Sequence, residues 1–144
     1  MRHLGLRRAA LSLIATVALV LGLTTPAYAW PTTSFSACVE NFCEFSYTNG
    51  TITWYNRTAN IAGKVVDIGP GNTTAFFYAY AGAVLIDDQT RTADDETSLG
   101  KSRSFNFGIG DTNLVGGISD IYIWVCSTFG STTTCGSDHI YHRP

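Results

Sequence analysis

Side chains alternate in character along the run from Ile118 to Cys126, ISDIYIWVC, and this run constrains the fold more than any other stretch. Successive side chains of a β-strand point to opposite faces of the sheet. The aliphatic positions share one face: Ile121, Ile123 and Val125. The polar and aromatic positions share the other: Asp120, Tyr122 and Trp124. The preceding GIGDTNLVGG holds four glycines in ten residues, which favours turns. The pattern predicts a central strand with one face in the core.

Similar short runs recur along the chain between clusters of turn-forming residues. The Asn49-Gly50 pair predicts a hairpin turn between strands at Glu44–Thr48 and Thr51–Arg57, because both residues tolerate the positive φ of a type I′ turn. After the first 29 residues no amphipathic helical pattern appears, so the crossover helices of a parallel sheet are not expected. About seven strands at spacings of roughly ten residues predict an all-β, antiparallel, immunoglobulin-like β-sandwich.

Residues Met1 to Ala29 have the three parts of an export signal. A basic start with three arginines precedes an apolar run, Ala9 to Leu23, and the small-x-small cleavage site Ala27-Tyr28-Ala29. The apolar run of 15 residues is shorter than the roughly 20 that a transmembrane helix needs. We therefore expect secretion to the extracellular space and no membrane span after cleavage. The remaining 115 residues suffice for one domain, which we place at residues 38–144.

The charge of the exported part excludes some classes of partner. Three of the nine Lys and Arg lie in the signal, so six remain against eleven Asp and Glu, a balance of −5. The six basic residues are scattered, whereas binding to a phosphate backbone needs a concentrated basic patch. Nucleic acid and anionic membrane surfaces are therefore not expected partners.

Four cysteines follow the signal: Cys38, Cys43, Cys126 and Cys135. In an oxidising compartment they predict two disulfides, for which three connectivities are possible. We favour the sequential pairing, Cys38 with Cys43 and Cys126 with Cys135. The two cysteines of each pair are close in sequence, and each disulfide would hold a terminal segment to the sheet. Zinc binding by the cysteines is the rival interpretation. The cysteine spacings match no common zinc pattern, and His139 and His142 are the only histidines after the signal that could supply nitrogen ligands. We expect no metal.

Both ends of the exported chain are predicted to lie outside the sheets. Residues 30–37, WPTTSFSA, have a proline at the second position and polar residues after it, which predicts an extended N-terminal arm. Such an arm can bind as an added strand in another protein, with Trp30, Pro31 and Phe35 as contact residues. A disordered end is the alternative. The segment after Cys126 is predicted to be a tethered loop and tail.

No catalytic constellation is recognisable in the exported part. Its only histidines, His139 and His142, lie in the last six residues, and the Gly-x-Ser-x-Gly elbow of many hydrolases is missing. Asp111 lies in a Gly-Asp-Thr-Asn stretch typical of a turn. The acidic stretch between Asp87 and Glu96 lacks the spacing of a calcium-binding loop and is predicted to be a solvated loop. We expect neither an enzyme nor a cofactor.

Aromatic side chains form the most suggestive set for binding. Along TTAFFYAYA, from Thr73 to Ala81, the residues Phe76, Tyr78 and Tyr80 share one face. If this strand neighbours Ile118–Cys126, these rings form one patch with Tyr122 and Trp124. Tyr and Trp rings are favoured where proteins or sugars dock. The alternative is that both faces of the two strands are buried, because aromatic residues also dominate cores.

The runs GTITWYNRTA and RSFNFGIGDTNLVGGISDIYIWVC, together with the TRTA tract and the signal ending in AYA, resemble a group of small exported actinobacterial β-proteins. In size, stapled sandwich and extended arm, the chain is similar to the adaptor subunit of umbrella toxin particles. That resemblance implies an adaptor that joins a lectin-bearing protease-like subunit to the repeat-containing stalk of an antibacterial toxin. It also implies that the arm residues from Trp30 to Phe35 bind a partner.

These observations favour a secreted, non-enzymatic protein-interaction module, of which the umbrella-type adaptor is the most concrete form. A protease inhibitor is a second hypothesis, with the Cys126–Cys135 segment as a loop that is ordered before binding. A carbohydrate-binding module that uses Tyr122 and Trp124 is a third. Partners are expected to be other secreted proteins.

Overall fold

The computed structural model describes residues 29–40, 43–95 and 100–144, and every regular element in these ranges is a β-strand. The predicted export signal lies outside these ranges apart from its last residue. The nine strands are β1 (Thr32–Cys38), β2 (Ser46–Trp54), β3 (Thr58–Asp67), β4 (Gly71–Ala81), β5 (Val84–Asp95), β6 (Lys101–Gly110), β7 (Asp120–Phe129), β8 (Thr132–Cys135) and β9 (His139–His142).

The strands form two antiparallel sheets that enclose one core. Sheet A has the order β1-β2-β3-β6; sheet B has the order β5-β4-β7, and β8 and β9 both pair with β7. The predicted all-β, disulfide-stapled antiparallel sandwich is confirmed, with nine strands rather than about seven. Immunoglobulin sandwiches place strands A-B-E-D opposite C-F-G. Here the second and third strands pair directly, so the likeness to that fold lies in the architecture and not in the strand order.

The core lies between the inner faces of the two sheets. The predicted aliphatic face of β7 is fully buried: Ile121, Ile123 and Val125. The inner residues of β4 join it in the same cluster: Ala75, Phe77 and Ala79. Sheet A contributes Ile52, Trp54 and Ile61 among others. Burying a large apolar side chain contributes about 1.5–3 kcal/mol, so the alternating pattern decides which face of each strand turns inward.

Asn49 and Gly50 lie in the middle of β2, so the predicted hairpin turn between residues 48 and 51 is wrong. Gly50 pairs with Gly63 of β3, and this row continues to Phe35 of β1 on one side and Phe105 of β6 on the other. A Cβ on Gly50 would overlap the carbonyl oxygen of Ala62 and meet the Phe35 ring. The Phe35 and Phe105 rings lie 6.5 Å apart and nearly parallel. The glycines are required for close packing, with rings covering the bare backbone, and not for a turn.

Residues 32–38 form the edge strand β1, so the prediction of a free arm at residues 30–37 is wrong and the sandwich begins at Thr32 rather than Cys38. Phe35 is only 4% exposed and packs edge-to-face against Phe77 of the other sheet. Burial of this ring offsets the entropy lost when the segment is ordered. Pro31 is also tied down, since its carbonyl accepts a hydrogen bond of 2.9 Å from the Trp54 amide.

The segment after Cys126 is not a loop and tail as predicted, because it continues β7 and forms β8 and β9. The two short strands pair with different halves of β7, since Cys135 is opposite Cys126 whereas His142 is opposite Asp120. Between them, the Gly136 amide donates to the Val125 carbonyl at 2.9 Å. The free edge of β7 thus supplies backbone partners that a weakly patterned tail can use.

Side chains bridge the two sheets where their edges meet. Between β5 and β6, the Asp87 carboxylate accepts a hydrogen bond of 2.9 Å from the Gly110 amide, and the Arg91 guanidinium lies 4.0 Å from the centre of the Phe107 ring. On the opposite side, β9 meets β1 through Tyr141 and Ser36. These contacts limit how much strand edge is left open.

Two disulfides join Cys38 to Cys43 and Cys126 to Cys135, which confirms the sequential pairing. Disulfides persist in oxidising compartments and are rare in the cytosol of most organisms. The covalent structure therefore indicates an oxidising, extracellular type of environment.

Candidate functional site: an aromatic face on sheet B

The strands β4 and β7 are neighbours in sheet B, which brings the two predicted aromatic sets together. In the antiparallel register Phe76 is opposite Trp124 and Tyr78 is opposite Tyr122, while Tyr80 is opposite Asp120. Residues directly opposite one another share a face of the sheet. The alternate residues of both strands are fully buried in the core, so these five aromatic residues lie on the outer face.

The five rings, which we call the aromatic face, are partly exposed and pack against one another in pairs. Phe76 stacks on Trp124 with ring centroids 5.1 Å apart. The Tyr78 ring meets Trp124 edge-to-face at 4.6 Å, and Tyr80 and Tyr122 are tilted by 55° at 4.8 Å. Offset-stacked and edge-to-face pairs are the favoured geometries and fix each ring's position. The aromatic face is therefore ordered before any ligand arrives.

Four of these rings line a concavity of about 480 Å³: Tyr78, Tyr80, Tyr122 and Trp124. The rest of the lining comes from Cys135 at the end of β8 and from residues 136–138, which connect β8 to β9, with Ser137 and Asp138 as its polar residues. The Cys126–Cys135 disulfide ties this part of the lining to β7. The lining thus combines aromatic rings with two polar residues, and the Ser137 hydroxyl donates a hydrogen bond of 3.0 Å to the Glu40 carboxylate.

An acidic residue and a histidine occupy one end of the aromatic face. Asp120 Oδ1 lies 2.5 Å from His142 Nδ1, and the Ser119 hydroxyl donates to Asp120 Oδ2 at 2.6 Å. Burial acts to raise the pKa of the Asp120 carboxyl, but the hydrogen bonds from Ser119 and His142 and the charge of His142 outweigh it and hold the pKa below its usual value. Asp120 therefore stays ionised at neutral pH.

The residues that complete the site include two from β9, in the segment that was predicted to be a loop and tail. Ile140 is opposite Tyr122, and His142 is opposite Asp120. On the other flank, Asp88 is opposite Tyr78 and Thr90 is opposite Phe76. The alternation in His139-Ile140-Tyr141-His142 was the available signal, but four residues are too few to distinguish a strand from a loop.

The other predicted partner-binding residues lie elsewhere. Trp30 is 48% exposed, and its ring meets Tyr55 edge-to-face at 5.4 Å. Pro31 is exposed beside it. Phe35 is in the core, so its side chain is not available to a partner in the folded protein. The structure therefore separates Trp30 and Pro31 from the aromatic face and removes Phe35 from the surface.

An apolar groove of about 570 Å³ lies at one end of the sandwich. Its apolar lining includes three residues with exposed side chains: Phe45, Ile68 and Phe129. The Cys126–Cys135 segment, expected as an inhibitory loop under the second hypothesis, borders this groove. It is a tight hairpin in which Phe129 pairs with Thr132, so only Gly130 and Ser131 lie between the strands. The segment is therefore a paired hairpin and not an open loop.

A buried polar cluster links the sheets beneath that groove. Thr73 Oγ1 of sheet B lies 2.7 Å from Asp67 Oδ1 and 3.0 Å from Ser46 Oγ of sheet A. Asp67 is fully buried, and it belongs to no recognisable sequence motif. Buried carboxylates need such partners because desolvation is costly, so the cluster has a structural role.

The described part of the chain contains no group of three or more His, Cys, Asp or Glu side chains placed to hold a metal ion. Nowhere in the same ranges is there a helix with the length and apolar character needed to cross a bilayer. No family model matches the sequence, and comparisons with curated proteins and with solved structures found no significant similarity.

Proposed function

We propose that the protein is a secreted, non-enzymatic interaction module that binds another extracellular protein through the aromatic face. The observation that supports this most directly is the register of β4 and β7. It gathers Phe76, Tyr78, Tyr80, Tyr122 and Trp124 on the outer side of one sheet. Large amphipathic rings concentrated on a surface are typical of the residues that dominate binding energy at protein interfaces.

The rigidity of the site supports the same proposal. The aromatic face is part of a sheet whose inner side is closely packed, and the Cys126–Cys135 disulfide holds part of the lining of the concavity. A surface that is already ordered loses little conformational entropy when it binds. Such a surface can bind a partner without first rearranging.

The umbrella-type adaptor remains the most specific form of the proposal. An adaptor that joins two components needs two separate surfaces. The aromatic face is one candidate, and the apolar groove lined by Phe45, Ile68 and Phe129 is the other. In that form, one surface would bind the lectin-bearing protease-like subunit and the other the repeat-containing stalk of the toxin.

The proposal is tested by co-purification of the tagged protein from culture medium with the Trp124→Ala variant beside the wild type. Val115→Ala is the control, because Val115 is an exposed apolar residue that lines neither the concavity nor the apolar groove. We expect the wild type and Val115→Ala to recover the same secreted proteins and Trp124→Ala to lose at least one. Recovery of the monomer alone from the wild type would contradict the proposal, and so would undiminished recovery by Trp124→Ala.

A carbohydrate-binding module is a second candidate, favoured by the presence of aromatic rings with Ser137 and Asp138 in the lining of one concavity. Sugars stack on aromatic rings and hydrogen-bond to hydroxyls and carboxylates. Retention in gels that contain soluble polysaccharides measures this activity. Retention lost on Tyr122→Ala or Trp124→Ala would support it, and absence of retardation across neutral and acidic polysaccharides would remove it.

A further inference from the structure

The aromatic face lies within an acidic surface. Asp138 lines the concavity, Asp88 is in register with Tyr78, and Asp120 is in register with Tyr80. None of the residues that line the concavity is Lys or Arg. The faces of aromatic rings are themselves electronegative because of their quadrupole. Ring faces and carboxylates therefore produce a negative potential at the same place.

The basic residues that follow the export signal all lie elsewhere. Arg91 contacts the Phe107 ring between β5 and β6, and the Arg57 and Arg143 side chains donate to the carbonyls of Thr112 and Gly116. The other three belong to strands of sheet A: Lys64, Lys101 and Arg103. On the aromatic face, the group that can carry positive charge is His142, and it is paired with Asp120. Asp88 and Asp138 have no such neutralising partner among the contacts of the described residues.

The orientation of the rings suits a planar cation. The Tyr78 and Trp124 planes are inclined by 69° and the Tyr80 and Tyr122 planes by 55°. Because Phe76 stacks on one face of Trp124, a cation in the concavity would meet the remaining ring surface of these four residues. A guanidinium group stacks on a ring face while its N–H groups donate to a carboxylate at the rim. The ammonium of lysine is more strongly hydrated and cannot stack in this way.

We propose that the concavity receives an arginine side chain of the protein partner, with its guanidinium against Trp124 and the neighbouring tyrosines and with Asp138 as the carboxylate that it meets. This inference rests on the proposed function, because it names the chemistry of the partner that the aromatic face binds. The partner is then a protein that displays an arginine from a basic surface segment. The acidic balance of −5 over residues 30–144 also favours association with a basic partner.

The three tryptophans allow a site-specific test by NMR. Trp124 is in the concavity, Trp30 is exposed elsewhere, and Trp54 is buried with its indole N–H bonded to Thr33. Each indole N–H gives its own ¹H–¹⁵N signal, which a Trp→Phe variant assigns. The probe is the blocked tripeptide acetyl-Gly-Arg-Gly-amide, titrated in the millimolar range. The matched probe replaces arginine by citrulline, which has nearly the same shape but no charge.

We expect the arginine peptide to shift the Trp124 signal and to leave those of Trp30 and Trp54 in place. The citrulline peptide is expected to bind at least about fivefold more weakly, since it lacks the cation–π and charge terms. Asp138→Asn is expected to weaken arginine binding by a similar factor, whereas Glu44→Gln, an exposed carboxylate outside the concavity, leaves it unchanged.

Equal shifts of the Trp124 signal with the arginine and citrulline peptides would overturn the inference. It would also be overturned if tetramethylammonium or chitin oligosaccharides shifted the Trp124 signal while the arginine peptide did not. The co-purification experiment separates this failure from failure of the proposed function. If Trp124→Ala still loses its protein partner while the two peptides bind alike, the aromatic face binds protein by other chemistry. If Trp124→Ala retains the partner, the proposed function itself is wrong.

Discussion

The hydroxyl of Tyr141 lies 3.1 Å from both the amide nitrogen and the carbonyl oxygen of Ser36. Ser36 belongs to β1, the edge of sheet A, and Tyr141 to β9, in sheet B. The hydroxyl can accept from the N–H group and donate to the C=O group, so one side chain replaces part of a missing neighbouring strand. The ring also packs edge-to-face against Phe35 at 6.3 Å. Strand β9 thereby holds the edge strand β1 against the sandwich.

Replacing Tyr141 by Phe keeps the ring and removes the cap on Ser36. We expect a loss of about 0.5–1.5 kcal/mol in the free energy of unfolding, the usual net value of such hydrogen bonds. Amide exchange at Ser36 should accelerate more than exchange elsewhere in sheet A. Urea unfolding and hydrogen exchange measure the two effects, with Tyr55→Phe as the control. Unchanged protection of the Ser36 amide would show that the cap contributes nothing.

Adding a methyl group at Gly50 is expected to destabilise the fold strongly, because the new Cβ would overlap the Ala62 carbonyl oxygen and meet the Phe35 ring. Gly50→Ala should lower the free energy of unfolding by about 3 kcal/mol or prevent folding, as an overpacked core site does. At Gly69 a Cβ meets nothing within 4 Å, so Gly69→Ala should change stability by less than about 0.5 kcal/mol. Thermal unfolding compares them, and equal midpoints would contradict the close packing of β2 and β3.

Phe35→Ala distinguishes a packed edge strand from a free arm. The ring is buried against Phe77 and Phe105, so its removal should cost about 3–5 kcal/mol. Trp30→Ala, at a half-exposed position before the strand, should cost less than about 1 kcal/mol. Chemical unfolding of both variants is the measurement. A harmless Phe35→Ala would mean that residues 32–38 are not part of the folded sandwich.

Asp120 is expected to make stability depend on acid pH. Its pKa is lower in the folded protein than the unfolded value of about 3.9, so its contribution is fully present above that value and is lost as pH falls through the folded pKa. Asp120→Asn should be less stable than the wild type at pH 7 by up to about 1 kcal/mol, because the pair with His142 is partly exposed. The difference should shrink on acidification below about pH 4. Unfolding midpoints measured between neutral and acid pH test this, and a difference that does not change with pH would exclude ionisation of Asp120 as its cause.

The fold class and the composition of the aromatic face could be predicted from the sequence because each depends on local alternation. Side chains alternate between the two faces of a strand, so the residues of β4 and β7 that share a face are determined whichever strands lie beside them. The pairing of nearby cysteines followed equally from their separation. These are properties of one strand or one short loop, so they need no knowledge of distant residues.

Strand pairing was decided only by the tertiary structure. Whether Asn49-Gly50 turns the chain or continues a strand depends on whether Gly63 and Phe35 lie beside it, and both are distant in sequence. Residues 32–38 and 139–142 have weak patterns of their own and become strands because sheet edges offer them hydrogen bonds and, for Phe35, a place in the core. The concavity has the same origin, since part of its lining comes from β4 and β7 and the rest from the segment that pairs with the far edge of β7. Local propensity selects the faces of strands, but burial and backbone pairing between distant segments select their neighbours.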